Sequence, residues 1–252
     1  FYSINMHEIE IKYKTFFCPK SIKTSFPETW SEMNVRQFAA LFNRPDDIHL
    51  LAAMLNVRPR IIRKLDLYQI YELAKLFDFI KRDTKINYFK FDKLHLRKTE
   101  ILFAPKPKLM EMPFEQFIYV DSFYMQYTAA PNNESLRYLV AYLYTPPTGF
   151  HKPTAERNVK LLKSVKPEIL EAIALNYGWV RKWIIERYPI VFPSSGKKQT
   201  ASTTGSWPDV FDSIVGDDLK DRDKYAQLPI NVIFKYITRK IKESRKNAAK
   251  IH

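Results

Sequence analysis

Cysteine occurs once and glycine five times in 252 residues, and both scarcities narrow what the chain can be. A lone Cys18 cannot close an internal disulfide, so stability has to come from packing, and the expected compartment is a reducing cytosol. So few glycines, beside 16 prolines, argue against folds that need repeated tight turns or a glycine-rich phosphate loop. No run approaches the roughly 18 apolar residues of a membrane span, and no basic-then-apolar signal opens the chain. The histidines, His7, His49, His95, His151 and His252, stand apart from one another and from Cys18, without an i, i+4 pair, so no metal site is expected. G-x-S-x-G, H-E-x-x-H and G-x-G-x-x-G are all missing, which removes the common signatures of hydrolases, zinc proteases and dinucleotide enzymes. Residues 194–200 loosely follow a phosphate loop, but Val191 stands where its first glycine belongs. Gly216-Asp217-Asp218 reads as a helix stop and cap rather than as paired metal-binding carboxylates. The expectation is a non-catalytic protein with no cofactor.

What is present points to a large folded core. Hydrophobic residues make up 46% and aromatics 15% of the chain, enough to exclude disorder, while 27% charged residues keep the surface wet. The formal net charge of +14 favours polyanionic partners such as nucleic acid or membrane headgroups, with solubility alone as the alternative role for the lysines.

Periodicity supplies the elements. The longest helical signal is 167–193, where Ile169, Ile173, Tyr177, Val180, Ile184 and Tyr188 recur at spacings of three and four. Pro167 suits its first turn and Pro189 ends it. Gly178 inside it marks a place where a backbone or ring approaches closely, since glycine there otherwise costs up to about 1 kcal/mol against alanine. Residues 7–14 alternate as a strand with Ile9, Ile11 and Tyr13 on one face, and a second short strand is predicted over 21–25. Asn34 with Gln37 forms a capping box, Asp46 or Asp47 caps a short helix with Ile48, Leu51 and Leu55, and Pro59 starts a brief one. Asp66 caps a helix with the stripe Leu67, Ile70, Leu73, Phe77 and Ile80. The period changes to two over 84–104, which predicts a hairpin or meander pairing with the N-terminal strand. Helices follow after Pro113 and after Asn133, the latter as cap, and around 158–162.

The class expected is mainly α (α+β): a multi-helix globular body at 1–193 carrying a small antiparallel β-hairpin or meander, a flexible linker at 194–207, and a C-terminal helical appendage at 208–252. The appendage has a short helix near 209–214 and a final helix from Pro229. There Ile233, Phe234, Ile237 and Ile241 form an apolar stripe suited to a partner protein. Lys235, Arg239, Lys240, Lys242, Arg245 and Lys246 crowd the remaining surface and could contact phosphates. The alternative is that the stripe packs on the protein's own body and the cations are a solvated face. Tyr88, Phe89 and Phe91, interleaved with Lys85, Lys90 and Lys93, could stack on single-stranded bases or simply form one packed and one wet face.

Three segments together carry a resemblance: PETWSEMNVRQFAALFN at 27–43, LRYLVAYLYTPPTGFH with LEAIALNYGWVRKWIIERYPIVFP, and SWPDVFDSIVGDDLKDRDKYAQLPINVIFKYI. They resemble a group of proteins from tailed bacteriophages and prophages of Bacteroidetes-type hosts, similar to tail assembly chaperones or minor tail-associated proteins. The resemblance implies a helical adaptor in tail assembly or virion structure, in the host cytoplasm or incorporated in the virion. Its implied partners are other phage structural or tail proteins, with nucleic acid as the alternative and no membrane.

Overall fold

A strand of alternating side chains needs a partner, and the nearest one along the chain supplies it. In the computed structural model, which describes residues 7–14, 18–41, 46–81, 86–97, 99–192, 207–215 and 222–248, β1 (His7–Lys14) pairs antiparallel with β2 (Pro19–Phe26). Ile11 faces Ile22 in the register, and Ile11 and Phe26 are buried. Among the described residues the expected pairing of 84–104 with this strand does not occur. Closing a loop of a few residues costs less entropy than closing one of roughly seventy, and β1 is satisfied locally. Instead β3 (Lys93–His95) and β4 (Ile101–Phe103) form their own two-stranded sheet.

The chain divides into two compact units, Phe1–Ile86 and Asn87–His252. The boundary expected near 193 is not where the chain divides, and the expected linker lies outside the described residues except for Trp207, which opens a helix.

In the first unit four short helices follow the hairpin: α1 (Val35–Ala40), α2 (Asp47–Met54), α3 (Pro59–Ile62) and α4 (Leu67–Lys75). The starts of α1, α2 and α4 are written in side chains that take up otherwise orphaned N–H groups, while α3 starts on Pro59 without one. Asn34 accepts from Gln37 N at 2.9 Å while the Gln37 side chain accepts from Asn34 N at 2.9 Å. Asp46 accepts from His49 N, and Asp66 and Gln69 form a second reciprocal box. Gln37 is buried and donates to Met54 O at 2.7 Å, joining α1 to the end of α2. Trp30 meets Phe38 and Phe79 edge-on, both at 6.0 Å. Leu67 departs from its expected stripe: it is 85% exposed, whereas Leu73 and Phe77 are buried. It is the first residue of α4 and lines an open groove instead of the closed core.

The second unit is built on α5 (Phe114–Ala129), α6 (Asn133–Leu143), α7 (Lys152–Leu161) and α8 (Pro167–Arg187). Asn132, not Asn133, caps α6, its side chain accepting from Glu134 N and Ser135 N; its extended backbone suits a cap, whereas Asn133 already lies in the helix. α5 and α6 run antiparallel, and Gln116 near the start of α5 donates to Tyr142 O near the end of α6 at 2.8 Å. The central helix α8 buries Ile173, Tyr177, Val180 and Ile184. At Gly178 a Cβ would fall 2.5 Å from Tyr124 Oη, so the close approach expected there is made by the tyrosine of α5. Asn176, also buried, holds the irregular stretch before β3: its Oδ1 accepts from Lys90 N and its Nδ2 donates to Tyr88 O. Three further helices complete the unit, α9 (Trp207–Val215), α10 (Arg222–Gln227) and α11 (Ile230–Ala248). Eleven α-helices and two small antiparallel sheets among the described residues make this a mainly α protein.

Candidate nucleic-acid interface

α11 is the best candidate for a binding element, and its role depends on which of its sides the fold consumes. The segment leading into it is clipped to the start of α5 by backbone hydrogen bonds, Phe114 N to Leu228 O at 2.9 Å and Ile230 N to Met112 O at 3.0 Å. Just inside, Phe234 sits in an aromatic cluster with Phe114, Phe117, Tyr188, Phe192 and Trp207, ring centroids 5.2–6.3 Å apart. Edge-on and tilted rings of this kind add to the area that they bury.

A buried carboxylate completes the attachment. Asp121 on α5, its side chain 2% exposed, receives Arg181 Nε and Nη2 from α8, the Tyr177 hydroxyl at 3.2 Å and Trp207 Nε1 at 2.8 Å. Burial first, and then the Asp121 charge, push the Tyr177 hydroxyl well above its ordinary range, so it remains a donor to the carboxylate. A buried charge is tolerable when paired and fully hydrogen-bonded, and this one ties α5, α8 and α9 together.

The residues expected to bind a partner therefore have another role. Ile233 and Phe234 are 1% and 0% exposed, and Phe234 packs against the unit's own rings. Ile237 and Ile241 are half-buried on the same side. The stripe is core because a ring as large as Phe234 gains more from the cavity offered by Phe114 and Phe117 than from water. It is not a free docking face.

The cations remain outside. At 100° per residue Lys235, Arg239, Lys242 and Lys246, spaced four, three and four, fall within about 60° of arc opposite the buried stripe. Lys240 and Arg245 lie on the two flanks, and all six are exposed. Two clefts of about 360 and 400 Å³ share Lys235, Thr238 and Lys242, and so join as one groove along the helix. Arg187, at the end of α8, adds a cation to one wall. Glu243 is the groove's one carboxylate among the described residues; it lies 3.8 Å from Arg239 Nε. Of the other sequence-predicted aromatics, Phe89 and Phe91 are buried and Tyr88 has Lys90 Nζ 5.6 Å from its ring centre.

Sequence reasoning missed Asp121 and its partners. Nothing local marks an aspartate in the middle of α5 as a hub when its donors lie 56 to 86 residues away. Among the described residues no group of three His, Cys, Asp or Glu converges as metal ligands would, and no helix is long and apolar enough to cross a membrane. The 194–200 and 216–218 stretches lie outside the described residues. No family model, curated protein or solved structure matches this chain.

Proposed function

We propose that this is a non-catalytic nucleic-acid-binding protein that holds phosphates along the outer face of α11. The observation that carries the reading is the division of that helix: its apolar stripe packs into its own unit, while four cations in register line an open groove. Such a row supplies affinity through phosphate contacts and counterion release, without base recognition. The net charge of +14 raises the local concentration of any polyanion. Replacing Lys235, Arg239, Lys242 and Lys246 together by Gln is expected to weaken binding of labelled DNA, read by anisotropy, at least about tenfold. The melting temperature should hold, because the four side chains are exposed. Unchanged affinity would remove α11 as the interface.

A second reading, protein contacts in the assembly or structure of a phage or prophage tail, rests on the resemblance and is favoured by a different surface. In the first unit an apolar groove between α2 and α4 is lined by Leu50, Met54, Leu67, Ile70 and Tyr71, with Leu67 and Tyr71 largely exposed. Solvent-facing apolar side chains gathered along a groove suit a protein partner. Under this reading, co-expression with tail proteins yields a complex that Leu67→Glu dissolves; a complex indifferent to Leu67→Glu and Tyr71→Glu would clear this groove of the role. DNA binding is expected to be untouched by either substitution.

A further inference from the structure

The end of α11 differs from its beginning. Near its start Ile230, Ile233 and Phe234 are buried, Ile237 and Ile241 are half-covered, and from Lys242 to Asn247 every residue is exposed. Six consecutive residues go more than once round a helix, so this end presents no covered side among the described residues. It carries Lys242, Arg245 and Lys246 against Glu243 alone, and Arg239 and Lys240 lie on its approach.

A bare helix with its side chains is about 10–12 Å across. The major groove of B-form DNA, about 12 Å wide, admits such a rod. The deep, narrow major groove of A-form RNA does not. A single strand would need aromatic faces on which bases could stack, and among the described residues the rings beside the cationic groove already have neighbours. Tyr188 and Phe192 pack on Phe234 at 5.2 and 5.5 Å. Tyr236 lies beneath Arg239 and Lys240, whose charged ends are 5.6 and 5.7 Å from its ring centre.

We propose that the exposed end of α11 enters the major groove of duplex DNA, its cations reaching the phosphates on the groove's two rims. The inference rests on the nucleic-acid reading above and narrows it to one form of nucleic acid. Arg187 and Lys235, at the packed end of the same groove, then hold the backbone farther along and set the helix's angle of entry.

The test titrates the full chain with a labelled DNA duplex, the RNA duplex of the same sequence and the single DNA strand, at one salt concentration. A companion measurement competes the bound duplex with methyl green, a major-groove ligand, and with netropsin, a minor-groove ligand. The expected result is binding of duplex DNA about tenfold or more tighter than of the other two, displacement by methyl green and not by netropsin. Lys242→Gln/Arg245→Gln/Lys246→Gln should remove the duplex preference while leaving the melting temperature unchanged. Equal or tighter binding of the single strand or the RNA duplex, or displacement by netropsin alone, overturns the groove assignment and leaves the nucleic-acid reading standing. Failure of the wild-type chain to bind any of the three overturns both.

Discussion

Gly178 shows how far a single residue can be read in advance. A glycine in the middle of a long core helix signals crowding, and the Tyr124 hydroxyl occupies the place a methyl group would take, 2.5 Å from it. Gly178→Ala gains up to about 1 kcal/mol of helix propensity but overpacks a contact that costs about 1–3 kcal/mol. A net loss of about 1 kcal/mol is expected in denaturant titrations, and Tyr124→Phe should relieve most of it, since the next ring atom stands off at 3.3 Å. The caps at Asn34, Asp46 and Asp66 were legible for the same reason, because a cap and the N–H groups it satisfies lie within a few residues. Asn132 and Asn133 offer the same chemistry side by side, and only the backbone conformation decides between them. Asn176 and Asp121 were not legible, because their partners come from other elements. Tyrosines give this scale its pH dependence. Burial, with Glu156 next, pushes the Tyr142 hydroxyl up to about 12, and burial raises Tyr144 and Tyr177 as well. Unfolded tyrosine titrates near 10, so what these neutral hydroxyls contribute is present below about pH 10 and is lost as pH rises above it, for Tyr142 through about 12. Thermal melts should therefore stay level up to about pH 10 and fall above it, and Tyr142→Phe should soften the fall.

At the scale of elements, the C-terminal segment is part of the second unit's core rather than an appendage. Phe114 and Phe117 are buried by rings that include Trp207 and Phe234, so deleting 194–252 is expected to expose an apolar surface. The truncated chain should bind a hydrophobic dye and melt early instead of leaving a folded body. The milder Phe234→Ala should cost about 3–5 kcal/mol, the usual range for emptying a core aromatic site. Asp121→Asn should cost about 3 kcal/mol, the low end for breaking a buried pair, because the Arg181 side chain remains 21% exposed to water. Both are read from denaturant midpoints, and losses below 1 kcal/mol would show that the cluster and hub do not hold the segment. The helical period of α11 was plain in the sequence, and so were the strands. Their partners were not: an apolar stripe looks the same whether it faces its own chain or another, and an alternating strand accepts any neighbour in register. α10 escaped detection because six mostly polar residues give no periodic signal.

For the whole molecule, the excess of lysine and arginine acquires a location. Part of the +14 charge is gathered along one groove of the second unit, and an apolar groove lies in the first, so the two candidate surfaces can be altered independently. The direct measurement is the salt dependence of duplex DNA binding by the full chain and by stripe variants. Each phosphate contact steepens the plot of log affinity against log salt by about 0.9. Replacing Lys235, Arg239, Lys242 and Lys246 by Gln one after another should flatten the slope by nearly that amount each time, whereas Lys75→Gln in the first unit should leave it alone. A slope indifferent to the α11 substitutions, or one that Lys75→Gln flattens equally, would contradict the account.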